Sequence, residues 1–250
     1  MTDTPVALVT GASRGIGAAT AEEFARRGYR VAILARTEDD LNAVADRIRQ
    51  AGGEALVFAG DLADLDYAES ALRGTVKRWK RLDVLVNNAA WRELVTMRKI
   101  SLESWERTLR VCLTAPAFLA RWAAEVMEPQ GQGVIINVSS IMSNRAGGIG
   151  PAYIACKGAL DSLTYELANL YGRSGIRVVA VNPGAIDTAG SGDYTDAEGE
   201  SITTQLRQWS EDHIPVGRWA TAEDVARAIA MLAGDDARYL TGTTVIVDGG

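Results

Sequence analysis

The feature that most restricts what this chain can fold into is an alternation. Short, continuously apolar runs take turns with longer stretches in which apolar residues recur at helical spacing. The first run, 6–10 (Val-Ala-Leu-Val-Thr), stops at a glycine and reads as a strand. Residues 15–28 follow with Ile16, Ala19 and Phe24 at helical spacing, and Gly28 suits the C-cap. The same reading predicts further strands at 31–35, 55–59, 84–86, 134–138, 178–181 and 244–247. It predicts helices at 38–51, 65–79, 102–127, 153–171 and 222–232, the third of these bent at Pro116. Residues 187–213 break the pattern: Gly190, Gly192 and Gly199 lie among polar residues, and only 202–209 looks helical. An irregular insert of that length in a compact domain predicts a substrate-binding loop or lid. Each strand is apolar throughout, the pattern of a parallel sheet covered by helices on both faces. The expectation is one doubly wound α/β domain over residues 1–250, with seven parallel strands.

Composition removes several classes of function. With 47% apolar and 23% charged residues the chain reads as an ordinary globular protein, and a net charge of −6 offers no footprint for nucleic acid. Cys112 and Cys156 have neither metal nor redox spacing and predict a reducing compartment, with no disulfide framework and no metal site. The polar first residues lack a signal-peptide pattern, and no apolar run approaches the roughly 18 residues of a membrane span. A soluble, cytoplasmic protein without membrane or nucleic-acid partners is expected.

Thr10-Gly11-Ala12-Ser13-Arg14-Gly15-Ile16-Gly17 joins the first strand to the first helix. Glycines there let the backbone turn sharply and approach a pyrophosphate, whose charge meets the helix N-terminus. As a bare pattern Gly-x-x-x-Gly-x-Gly is weak and could be a plain turn; after an apolar strand it points to a dinucleotide. No Gly-Lys-Ser/Thr follows, so it is not a P-loop. The second strand ends Leu34-Ala35-Arg36-Thr37, without the carboxylate that bonds the ribose 2′-hydroxyl of NAD. Arg36 and Arg14, with Thr37, suit a 2′-phosphate, which a guanidinium holds through forked hydrogen bonds. Arg36 as an ordinary solvated residue is the bland alternative. The expectation is NADP(H), with NAD(H) as the second choice.

Tyr153 and Lys157 lie four residues apart on one predicted helical face. A phenol, with an ordinary pKa of about 10, is a poor acid or base at neutral pH, and a neighbouring positive charge favours its ionised form. Alone, the pair could equally be an aromatic residue and a solvated lysine.

Taken together, these residues resemble the short-chain dehydrogenase/reductase family over nearly the whole chain. Its glycine motif is similar to Thr10–Gly17 here, its adenine-ring segment to Asp61-Leu62, and its Asn-Asn-Ala segment to Asn87-Asn88-Ala89. Asn137-Val138-Ser139-Ser140 resembles the segment whose second serine is catalytic, and Tyr153 and Lys157 match the Tyr-x-x-x-Lys signature. Asn182-Pro183-Gly184, Ile186 and Thr188 fall where the family holds the nicotinamide carboxamide, and the ending through Thr241-Gly242 to Gly250 is similar too. The resemblance implies a single Rossmann-type domain and hydride transfer between nicotinamide and a carbonyl or alcohol carbon. Ser140 would bond the substrate oxygen, Tyr153 would pass the proton, and Lys157 would hold the nicotinamide ribose. The implied cofactor-binding residues are Gly11, Ser13, Arg14, Gly15, Ile16, Gly17, Arg36, Thr37, Asp61, Leu62, Asn88, Ala89, Tyr153, Lys157, Pro183, Gly184, Ile186 and Thr188. Two positions depart. Ala90 stands where many members have glycine, and Cys112 where they carry a fourth catalytic residue, an asparagine that helps place a proton-path water. A thiol is a weak donor and acceptor. Either backbone carbonyls still hold that water, or the chain is a catalytically weakened NADP-binding regulator or scaffold on the same fold; the intact Ser140, Tyr153 and Lys157 favour the enzyme.

Substrate contacts are expected from Trp91, Arg92 and Glu93, from Met142, Asn144 and Arg145, and from Tyr194, Trp209 and His213. Arg92 and Arg145 suit an anionic or polyhydroxylated substrate, and solvated rim residues are the alternative. Sugar or polyol, oxo-acid and 3-oxoacyl substrates all remain compatible, with a small polar one preferred. Helices 102–127 and 152–171 would pair with a second subunit's copies, through Leu160, Leu163, Leu167, Leu170 and Tyr171, in a homotetramer or homodimer.

Overall fold

The computed structural model describes residues 4–145, 147–188 and 203–250. Seven strands form one parallel sheet: β1 (Val6–Thr10), β2 (Arg30–Ala35), β3 (Ala55–Ala59), β4 (Val84–Asn87), β5 (Gly133–Val138), β6 (Ile176–Pro183) and, after two short strands, β9 (Thr243–Val247). Their order is β3-β2-β1-β4-β5-β6-β9, so the chain winds outward one way from β1, then returns past it and winds out the other way. The switch lies between β1 and β4, where a doubly wound sheet opens a crevice at the carboxyl ends of its strands. The central strands are buried on both faces, which is why they read as unbroken apolar runs.

The helices α1 (Gly15–Arg26), α2 (Glu38–Gln50), α3 (Leu65–Trp79), α6 (Pro151–Tyr171) and α8 (Ala222–Ala233) match the predicted segments to within a few residues. One apolar layer, with Phe24, Ile33, Val86 and Ile229, lies under α1, α2 and α8; the other, with Leu72, Leu85, Leu119 and Met127, lies under α3, α6 and the helical run before β5. That run is not the single bent helix expected. It consists of α4 (Leu102–Leu109), a π-helical turn (Arg110–Thr114) and α5 (Ala115–Gln130). Pro116 supplies the reason: it has no N–H for the carbonyl of Cys112 four residues back, and its ring crowds that carbonyl, so the ladder shifts register there.

Two features escaped the periodicity. Residues Ile186–Asp187 (β7) and Ala220–Thr221 (β8) form a two-residue parallel pair, too short to show alternation. Helix α7 spans Thr203–His213, longer than the predicted turn at 202–209, while Gly190, Gly192, Tyr194 and Gly199 lie outside the described residues. The apolar surface expected of α6 is smaller than its sequence suggested: Leu160 and Leu167 are buried within the chain, Leu163 and Tyr171 pack partly on its core, and Leu170 is exposed. Among the described residues no helix is long and apolar enough to cross a membrane.

Candidate active site

A cleft of about 840 Å³ runs along the carboxyl ends of the strands. Gly11, Ser13, Arg14, Gly15 and Ile16 line one end with Arg36, Thr37, Asp61 and Leu62; Asn88 and Ala89 lie along its floor. Ser140, Tyr153 and Lys157 line it with Pro183, Gly184, Ile186 and Thr188. Gly17 stands behind the wall. A Cβ on it would collide with the Gly11 carbonyl oxygen and lie 2.5 Å from Asn88 Nδ2, so only glycine lets α1 come this close to the loop. Gly11 turns with φ +66°, and a Cβ there would lie 2.7 Å from Ala89 Cα. Thr10 and Asn88 clamp this turn. Thr10 Oγ1 accepts the Asn88 and Ala89 amides at 2.9 and 3.0 Å, and Asn88 Nδ2 donates to the Thr10 carbonyl at 2.8 Å.

No side chain caps the start of α1, and its first turn carries no acid. Its free N–H groups and dipole are therefore left for an anion. Arg14 and Arg36 are exposed at the same end. A narrow glycine cradle, an uncapped helix start and two guanidinium groups fit a dinucleotide pyrophosphate with a further phosphate on its ribose. Next to them Asp61 pairs with Arg107 at 2.6 Å. Partial burial would raise the Asp61 pKa, but the Ala63 amide and the Arg107 guanidinium outweigh it and hold the carboxyl below its ordinary value. Arg107 also stands 5.6 Å from the Trp91 ring centre.

At the other end, Gly150 (φ +73°) and Pro151 start α6, whose inward face carries Tyr153, Cys156 and Lys157. Lys157 is only 2% exposed, and its ammonium donates to the Val138 carbonyl at 2.6 Å while standing 5.4 Å from the Tyr153 ring centre. Ser139 Oγ donates to the Lys157 carbonyl at 3.1 Å, tying the end of β5 to α6. Ser140 Oγ accepts the Met142 amide at 3.1 Å, which leaves its O–H to donate elsewhere. Asn182 bridges Ser143 and Asp161, each at 3.1 Å, bracing the same region from β6.

Cys112 is fully buried in the π turn, and its thiol is committed to the Trp91 backbone. It accepts from the Trp91 amide at 3.4 Å and donates to the Trp91 carbonyl at 3.3 Å. Cys156 packs beside it, and burial, reinforced by Cys112, pushes the Cys156 thiol up to about 12.

Of the expected substrate contacts, Trp91, Arg92, Met142 and Arg145 line the cleft. The guanidinium of Arg92 lies 5.5 Å from the Tyr153 ring centre. Trp209 stacks on His213 with centroids 4.3 Å apart, is 59% exposed and is not among the lining residues. Glu93, Asn144 and His213 are likewise not in the lining, and Tyr194 lies outside the described residues. The α7 side is represented instead by Leu206 and Ser210, with Trp219 donating to Ser210 Oγ at 2.5 Å. Sequence distance hid these three; the only clue was that they border an irregular insert.

Residues 11–250 match the family model described as enoyl-(acyl carrier protein) reductase. The cis-4-hydroxycyclohexanecarboxylate dehydrogenase of Sinomonas cyclohexanicum is 39% identical, over 98% of this chain and 95% of its own. The chain belongs to the short-chain dehydrogenase/reductase family. A second member, the L-rhamnose 1-dehydrogenase (NAD(P)(+)) of Azotobacter vinelandii, is 38% identical, over 97% of this chain and 94% of its own. A crystal structure described as an NAD(P)-dependent gluconate 5-dehydrogenase from Beutenbergia cavernae, with NADP bound, superposes with a TM-score of 0.89 at 36% identity. It covers all of this chain and is itself covered to 97%. As a short-chain dehydrogenase/reductase, the protein is an oxidoreductase of alcohol and carbonyl groups, and a nicotinamide dinucleotide is the cofactor of such enzymes.

Proposed function

We propose that the protein is an NADP(H)-dependent oxidoreductase that interconverts a carbonyl and a secondary alcohol on a small polar substrate, of sugar, polyol or oxo-acid type. The observation that carries this reading is one cleft with the glycine cradle and two exposed guanidinium groups at one end and Ser140, Tyr153 and Lys157 at the other. Gly11, Ser13, Gly15, Ile16 and the start of α1 would hold the pyrophosphate, Arg14, Arg36 and Thr37 the 2′-phosphate, and Asp61 and Leu62 the adenine. Asn88, Ala89, Pro183, Gly184, Ile186 and Thr188 would line the nicotinamide half. When bound, the nicotinamide supplies or accepts the hydride.

Ser140, with its oxygen already occupied as an acceptor, turns its O–H on the substrate oxygen and steadies the charge that develops there. Tyr153 gives that oxygen a proton in reduction and takes it in oxidation. The Lys157 ammonium, spending one donor on Val138, keeps two for the cofactor ribose and stands 5.4 Å from the Tyr153 ring centre. The Cys112 thiol is tied to Trp91 and serves as an anchor for that loop. A backbone carbonyl of the π turn that carries Cys112 takes the place of the family's asparagine in holding a proton-path water. An NADP-binding regulator, weakened in catalysis by Cys112, is the second reading.

The named relatives divide: one acts on cis-4-hydroxycyclohexanecarboxylate, one on L-rhamnose, others are 3-oxoacyl-(acyl-carrier-protein) reductases of Staphylococcus aureus at 34% identity, and the solved structure is named for gluconate. Those named for small polar substrates are the more similar, at 36–39% identity, and on that ground a small polar substrate is preferred to a 3-oxoacyl one. We also infer a homotetramer or homodimer, and a soluble protein acting in the cytoplasm. The test is a panel of ketones and alcohols followed at the nicotinamide absorbance with NADP(H) and NAD(H) side by side. Tyr153→Phe should lower kcat at least roughly 100-fold while leaving NADPH binding within about threefold. Tight NADPH binding without turnover on any substrate would favour the regulator instead.

A further inference from the structure

We infer that Arg92 is the substrate-recognition residue of this cleft and that the group it takes is a carboxylate on the substrate itself, a few bonds from the carbon that exchanges hydride. This rests on the reading of Ser140 and Tyr153 as the reacting end. The cations lining the cleft can be followed one by one. Arg107 is neutralised by Asp61 at 2.6 Å, and Arg145, 65% exposed in its side chain, lies 4.0 Å from Asp248. Arg14 and Arg36 stand at the dinucleotide end, and Lys157 points at the Val138 carbonyl. Arg92 differs from all of these. It lines the reacting end, it is half-buried, and among the described residues no carboxylate forms an ion pair with it. Its guanidinium rests instead against the face of Tyr153, 5.5 Å from the ring centre.

A guanidinium cannot lose its charge, and a cation partly withdrawn from water without an acid partner is a poor resting arrangement. Its planar fork matches a carboxylate with two parallel hydrogen bonds. Placement limits the ligand further. The phenolic oxygen is half a ring away from the centroid that Arg92 approaches, so an anion on Arg92 and an oxygen on Tyr153 belong to one small molecule. The phosphate of a carrier-bound acyl chain is separated from its carbonyl by the whole pantetheine arm and does not span so short a gap. Trp91, Ile141, Met142 and Trp219 also line the cleft and give it apolar wall against which a carbon skeleton can pack. The guanidinium also packs on the Tyr153 ring, so removing it disturbs the placement of the phenol and would slow every substrate to some degree. The diagnostic quantity is therefore a ratio between an acid and its neutral analogue.

The experiment compares kcat/KM for 4-oxocyclohexanecarboxylate and its methyl ester with NADPH, in the unaltered protein, Arg92→Leu and Arg92→Lys. A charge-assisted pair of this kind predicts an acid-to-ester ratio of roughly 10–100 in the unaltered protein, close to 1 in Arg92→Leu and intermediate in Arg92→Lys. In parallel, unreactive cyclohexanecarboxylate and cyclohexanecarboxamide are titrated against the NADP-loaded protein by tryptophan fluorescence. The carboxylate should bind tighter by a similar factor, and Arg92→Leu should abolish the difference. Turnover of the ester as fast as the acid, or an unchanged ratio in Arg92→Leu, overturns the role of Arg92 while leaving hydride transfer intact. Selective carboxylate binding lost in Arg92→Leu, with no turnover of either ketone, supports the recognition role and overturns the reading of the reacting end instead. No selectivity in either measurement overturns the inference.

Discussion

Gly17→Ala is the sharpest test of the dinucleotide end, because the structure says which atoms would have to move. The added Cβ would collide with the Gly11 carbonyl oxygen and lie 2.5 Å from Asn88 Nδ2 and 2.8 Å from the Gly11 carbonyl carbon. None of these is the loose end of a flexible side chain. Asn88 Nδ2 is held by the Thr10 carbonyl at 2.8 Å and the Gly11 carbonyl at 3.2 Å. Overpacking of a tight site costs about 1–3 kcal/mol, and a lost hydrogen bond adds about 1 kcal/mol. Alanine within a helix returns roughly 0.5–1 kcal/mol, which leaves a net loss of about 1–3 kcal/mol and a fall in Tm of roughly 2–12 °C. Because the displaced atoms are the cradle itself, NADPH affinity should fall at least tenfold, about 1.4 kcal/mol. Gly28→Ala is the control at the other end of α1. Its Cβ would meet nothing within 4 Å, and only the left-handed backbone, φ +83°, resists it. It should cost about 1–2 kcal/mol of stability and leave the cofactor alone. Thermal unfolding separates the stabilities, and fluorescence titration with NADPH, well below both transitions, reads the binding. If Gly17→Ala binds NADPH within twofold of the unaltered protein, or if Gly28→Ala weakens binding equally, the cradle is not where the pyrophosphate lies.

Further outcomes follow from the same site. Arg36→Asp should reverse the cofactor preference, lowering kcat/KM for NADPH roughly 10–100-fold and raising it for NADH; an unchanged ratio would return Arg36 to the status of a solvated residue. Arg107→Met should weaken NADPH binding and move its loss in acid to higher pH. With a folded-state pKa below its ordinary value, Asp61 contributes fully above about pH 4 and loses that contribution as the pH falls through the lowered value, and removing Arg107 moves the loss upward. Both thiols are fully buried, and Cys156 is held at about 12; a disulfide reagent at pH 8 should therefore label neither in the native protein and both in denaturant. Cys112→Asn should change kcat less than about threefold if a backbone carbonyl of the π turn already carries the proton path; a large gain would show that the thiol limits turnover.

What could be read from the chain and what could not divide along one physical line. The glycine loop was legible because its demands are local: a sharp turn at Gly11 and a close approach at Gly17 leave little choice of residue, whatever packs around them. The doubly wound sheet of seven parallel strands followed almost as directly, since apolar runs joined by helices allow few right-handed windings. The π turn at Arg110–Thr114 was half legible. Pro116 announced a disturbance four residues upstream, but whether the helix bends or shifts register depends on what its neighbours hold, and here the Cys112 thiol grips the Trp91 backbone. Partnerships across distant sequence were not legible at all. Nothing near Arg107 in the chain announces Asp61, 46 residues away, and nothing near Trp219 announces Ser210 as its acceptor.

Arg92 shows why this matters for specificity. As a letter in the sequence it was one of several arginines around the expected cleft, each equally suited to solvent. Its distinction arises by subtraction, because folding assigns Asp61 to Arg107 and brings Asp248 toward Arg145, while setting Arg92 against the one ring that the chemistry requires. The reacting set thus says which bond is made and broken, whereas the charge left without a carboxylate among the described residues says for whom. In a family whose members are named for substrates as different as a sugar and a hydroxy acid, that charge is the more discriminating property.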